Sequence, residues 1–270
     1  MKTEQRMSSM ILGTALLAGC GVSPSQTTAP SSSSHLARST ATASSANHSP
    51  RVSDFPSLIQ KAMAKIPAHI VPVRLAPTLL PVDQASHGTT VARPSVSNGP
   101  TPGFQITLAT ATSQLAQFGA TQYGTASAAL KAAQTNPHPI GSSGQVTGHV
   151  SLGDHLVGTI RQNAGGPSHW TSITWKTKQW TIVVTNRGAQ ILSPVAKEVV
   201  ASMTGATLPT PHPHGFIYIT MDKSSGSIDS MVRWPSHHTM YDVNTNARAA
   251  NPVQAAIELA SSTEPYPSHP

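Results

Sequence analysis

The chain has 270 residues and carries 17 Lys and Arg against 10 Asp and Glu, a net charge of +7 with its 13 His neutral. No run of Lys or Arg gathers that charge, which leaves a nucleic-acid groove or a polybasic membrane patch without local support. The single cysteine, Cys20, excludes an internal disulfide framework and a Cys-ligated zinc site.

Taken in order, the chain opens with Lys2 and Arg6. An apolar run from Met10 to Ala18 follows, and Leu17-Ala18-Gly19-Cys20 closes it. These residues resemble the lipobox of bacterial lipoprotein signal peptides. The resemblance implies cleavage after Gly19, so that 1–19 is the signal peptide, and a diacylglycerol thioether on Cys20. Acyl chains of the palmitate kind would then hold the protein to the cell membrane on its extracytoplasmic face. That use of Cys20 also removes the only thiol from nucleophilic or redox chemistry. The apolar run is about half of the ~20 residues a bilayer span requires, so lipid is the expected anchor. Residues 20–53, rich in Ser, Thr, Ala and Pro, have too little apolar surface to offset the entropy of ordering and read as a flexible tether.

A single domain is expected over 54–262. Asp54-Phe55-Pro56 reads as a helix start, with Leu58, Ile59, Ala62, Met63 and Ile66 on one face and Pro67 as the stop. The stretch from Ile70 to Leu80, broken by Pro72 and Pro77 and followed by Pro81, reads as an edge strand running into irregular chain. Asp83 to Gly103 reads as a long polar loop. Phe104, Ile106 and Leu108 alternate as in a half-buried strand, and short helices are expected over Ala111 to Phe118 and Ala126 to Gln134.

Gln145 to Gln162 predicts a hairpin about Gly153-Asp154, and Trp170 to Thr185 predicts another about Lys176-Thr177-Lys178. Ser193-Pro194 begins a helix that Gly205 ends. Phe216 to Met221, Ile228 to Trp234 and Thr239 to Val243 predict a meander, and Asn251-Pro252 caps a closing helix. Residues 263–270 read as a disordered, proline-rich tail. The pattern is α+β, an antiparallel and partly meandering sheet with helices packed on one face.

The order of Ile173-Thr174-Trp175, Trp180-Thr181-Ile182, Leu208-Pro209, Val232-Arg233-Trp234 and Met240-Tyr241-Asp242-Val243 is similar to that in uncharacterised lipoproteins of Gram-positive bacteria, over roughly Pro72 to Ser262. Those proteins have no assigned catalytic residues. The resemblance implies location and fold type and carries no mechanism.

Four histidines bracket the meander. His212 and His214 precede its first strand, and His237 and His238 lie in the turn between its second and third, so all four are expected at one end of the sheet. Next-but-one residues of an extended chain project to the same side. His212 and His214 with His237 or His238 are therefore candidate ligands for Zn, Cu or Ni. The bland alternative is that proline-rich loops display exposed histidines, and Met221, Met231 and Met240 are explained by core packing.

Trp170, Trp175 and Trp180 are candidates for stacking on a glycan or peptide, against a competing role in the core. Asp154, Asp222, Asp229 and Asp242 do not form a recognisable acid–base pair, and no Gly-x-Ser-x-Gly elbow or phosphate-binding loop is present. The expectation is a non-enzymatic extracytoplasmic module that binds an envelope protein or other ligand. A histidine-based metal-binding lipoprotein stands second, and a hydrolase of cell-wall polymer third.

Overall fold

The computed structural model describes residues 50–81, 89–135, 144–163, 170–187, 192–222 and 226–267. The lipobox and nearly all of the tether lie outside them. After a 3-10 turn at Val52–Asp54 the elements run α1 (Ser57–Met63), β1 (Leu75–Pro77), β2 (Val91–Ser97), β3 (Gly103–Ala109), β4 (Gln114–Gln122) and α2 (Ala126–Gln134). They continue with β5 (Gln145–Gly153), β6 (Leu156–Asn163), β7 (Trp170–Lys176), β8 (Trp180–Arg187) and α3 (Ser193–Met203). The chain closes through β9 (Gly215–Met221), β10 (Ile228–Ser236), β11 (Thr239–Thr245), α4 (Pro252–Ser261) and β12 (Thr263–Pro265).

Ten of these strands form one sheet in the order β2-β3-β4-β11-β10-β9-β8-β7-β6-β5. Every neighbouring pair is antiparallel except β8 with β9, which α3 connects as a parallel pair. The fold is α+β, dominated by this sheet. The expected hairpins β5-β6 and β7-β8 and the meander β9-β10-β11 are all present. Asp154 and His155 hold positive φ between β5 and β6, as a tight hairpin turn with strand-matched twist requires.

Helix termini follow their sequence signals in part: Ser193, expected to cap α3, lies inside it, and the cap position falls to Leu192 with no side-chain hydrogen bond. Asn251 caps α4 by accepting from the Gln254 N–H at 3.0 Å, with Pro252 at the first position. Thr125 caps α2 by accepting from the Ala128 N–H at 3.1 Å. Gly205, at φ +86°, follows the end of α3 in a conformation that costs other residues a Cβ clash.

Strand alternation divides the sheet into two faces. On the inner face Ile182, Val184, Ile217, Ile219, Val232, Trp234 and Val243 are buried in one cluster with α1, α3 and α4. On the outer face Phe216, Tyr218 and Met240 pack with Ala133 of α2. The expectation of helices on one face therefore fails for α2. The outward residues of β9 are aromatic and need cover, and α2 supplies it.

Three further expectations give way. Ala111 to Phe118 is not helical, because its Leu115-Ala116 and Phe118 segment is claimed by β3 and β11 on either side as β4. The loop Asp83 to Gly103 contains the edge strand β2, whose Pro94 is tolerated where a strand has only one partner; residues 82–88 lie outside the described ones. In the tail, β12 pairs with β1 and Tyr266 is buried, so order extends to Pro267.

Candidate functional site

The meander does bring its histidines to one end. His212 donates its backbone N–H to the Pro235 carbonyl at 2.8 Å, which draws the segment before β9 alongside the end of β10. The His212 and His237 rings then stack with centroids 6.0 Å apart. His214 turns away. Its Nε2 lies 2.8 Å from the Thr181 hydroxyl and its ring meets Phe216 edge-on at 5.5 Å. Burial, helped by the Lys176 charge, pushes its pKa down. His238 is exposed.

The four imidazoles thus share an end of the sheet and do not converge. The same-side rule applies to extended strand, and β9 begins only at Gly215. Among the described residues no group of three or more His, Cys, Asp or Glu stands close enough to hold a metal ion.

The tryptophans are core residues. Trp170, Trp175 and Trp180 are all buried, with less than a tenth of each exposed. Gly215 explains part of this, since a Cβ there would lie 2.5 Å from the Trp180 ring. Trp175 and Trp180 line a surface pocket of about 480 Å³ together with Met203 and Leu208. The Trp175 indole N–H is buried without a hydrogen-bond partner among the described residues. Asp154 is an exposed turn residue at the rim of that pocket.

Asp242 stands opposite Arg233 in the β10-β11 register, on the face that α2 covers. Burial raises its pKa and Arg233 pulls it partly back. The same burial raises Tyr218 to about 12. Arg233 Nη1 donates to the Thr135 carbonyl at 2.7 Å, and the Tyr218 hydroxyl donates to the Gln134 carbonyl at 2.7 Å. Positive charge and donors at the C-terminal end of a helix complement its dipole and its free carbonyls. This cluster holds a helix.

The arrangement with a chemistry left over is elsewhere, in the corner where α1, β1 and the C-terminal segment meet. Arg74 is 6% exposed. Its Nη1 donates to the Ile66 carbonyl just past α1 at 2.9 Å, and its Nη2 to the Pro267 carbonyl at 3.1 Å. The guanidinium lies 5.6 Å from the Tyr266 ring centroid, and that ring packs on Phe55 at 4.9 Å. Burial lowers the Arg74 pKa and raises that of Tyr266, each opposed by the other's charge. No carboxylate pairs with Arg74 among the described residues.

A pocket of about 640 Å³ has Arg74 and Tyr266 in its lining. Val52, Ala64, Pro67 and Ala68 give it apolar walls, and Gln60 and Lys61 stand at α1. Sequence reading missed it because its two ends lie 193 residues apart. The signals were a lone Arg inside an apolar stretch and a lone Tyr in a proline-rich tail.

No family model, curated protein or solved structure matches this chain.

Proposed function

We propose that this protein is a lipid-anchored, extracytoplasmic binding module that takes a small ligand in the corner pocket at Arg74 and performs no chemistry on it. The observation that carries the binding half is the guanidinium itself. A buried charge is ordinarily paired, and here neutral carbonyls and a ring face hold the cation beside an open pocket, with no carboxylate among the described residues to cancel its charge. A pocket of this size lies within the ~300–1,000 Å³ of small-molecule sites. The anchoring half rests on the Leu17-Ala18-Gly19-Cys20 sequence.

Both halves are tested on the full chain in its host. Metabolic labelling with an alkyne palmitate is expected to mark the wild type and not Cys20→Ala, which should also leave the membrane fraction. Equal labelling of the two sinks the anchor. Native mass spectrometry of the purified chain is expected to show one small molecule bound, absent from Ala64→Phe, whose ring fills the pocket. A wild type as empty as the variant counts against the binding reading.

A further inference from the structure

The corner pocket defines the kind of molecule it suits, an inference that rests on the binding reading above. Its charge is one-sided. Among the residues lining it Lys61 and Arg74 are cationic and none is acidic. Arg74 carries five N–H donors, and the Ile66 and Pro267 carbonyls take two of them. The guanidinium stays charged at any pH the protein meets. Held by two carbonyls and laid against the Tyr266 ring, it is fixed before any ligand arrives, so little side-chain entropy remains to be lost on binding. Beside this cation the walls at Val52, Ala64 and Pro67 are apolar.

We propose that the pocket binds an amphipathic carboxylate, its head on the Arg74 guanidinium and its apolar body along α1 between Val52 and Pro67. A planar carboxylate matches the guanidinium fork, which can meet it with two parallel N–H···O bonds. Burial of the pair strengthens the charge interaction relative to water. A neutral head of the same shape would leave the cation unpaired, and a cationic head would be repelled by both Lys61 and Arg74.

Octanoate, 1-octanol and octylamine separate these terms, titrated calorimetrically into the full chain carrying Cys20→Ala so that no detergent competes. Octanoate is expected to bind at least about tenfold more tightly than 1-octanol, the scale of one charged hydrogen bond, and octylamine more weakly still. Arg74 also ties α1 to the C-terminal segment, so its replacement alone would confuse fold with site. Ala64→Phe leaves Arg74 intact and is expected to weaken octanoate at least tenfold with unchanged thermal unfolding. Arg74→Lys, which keeps the charge and loses the fork, should narrow the gap between octanoate and 1-octanol. Equal binding of octanoate and 1-octanol, both lost in Ala64→Phe, overturns the carboxylate and leaves the pocket standing. Octanoate that fails to bind, or that binds Ala64→Phe as tightly, overturns both.

Discussion

The two faces of the ten-stranded sheet are made by the same strands, residue by alternate residue, and are held by different physics. Inward, Ile217, Ile219, Val232 and Val243 meet α3 and α4 through broad apolar contact, to which the Thr245 hydroxyl adds one hydrogen bond by donating to the Pro252 carbonyl of α4. Outward, α2 sits on Phe216 and Met240, and its last carbonyls are caught by the Tyr218 hydroxyl and the Arg233 guanidinium. Contact on the inner face is non-directional and proportional to area, whereas the outer contact depends on a few donors in fixed places. Loss of an inner residue should therefore weaken the whole domain, and loss of an outer donor should free one helix.

Three substitutions test that distinction. Ile217→Ala empties a fully buried inner site and is expected to cost about 2–5 kcal/mol of global stability, read from urea unfolding. A cost under about 1 kcal/mol would mean the inner face is loosely packed. Arg233→Met keeps the side-chain bulk and removes the donor to Thr135. It is expected to cost about 1–2 kcal/mol, with hydrogen exchange accelerated across Ala126–Gln134 and not across β9. Uniform acceleration would erase the contrast between the faces.

Asp242→Asn should act in the opposite direction and by less. Burial holds this carboxyl above its ordinary range, so the unfolded chain releases the proton first as pH rises. Its contribution to stability is present below about pH 4, the ordinary aspartate value, and is lost as pH rises through the raised value. The variant should therefore be slightly more stable than wild type at neutral pH, with the gain vanishing in acid. A loss at neutral pH would show that Arg233 needs the carboxylate more than burial penalises it.

Much of this sheet was legible because hairpins are local. The period-two pattern of Trp170 to Thr185 and the turn at Gly153-Asp154 specify their pairings within a few residues. β4 was misread because Leu115 and Phe118 are spaced as on a helix, and only partners remote in sequence make it a strand. β2 exposes most of its residues and shows no clean alternation. β12 has three residues, too few for any period, and its partner is β1 near the other end of the domain. The candidate pocket shares that difficulty, since Arg74 and Tyr266 acquire meaning only when the ends of the domain meet. The shared end of the meander histidines followed from strand order, and their failure to converge followed from the start of β9 at Gly215, which leaves His212 and His214 outside the extended strand.

The pairing of β4 with β11 sets the order in which the protein can be finished. β2, β3 and β4 are consecutive and can assemble as soon as they leave the ribosome, but Gly119 meets its partner Asp242 only after on the order of a hundred further residues are made. Until then β4 presents a free row of backbone donors and acceptors, the kind of edge through which nascent chains aggregate. The seam of the sheet is thus among its last parts to be synthesised. A chain cut short before Thr239 would carry that open edge permanently, however well its earlier hairpins had formed.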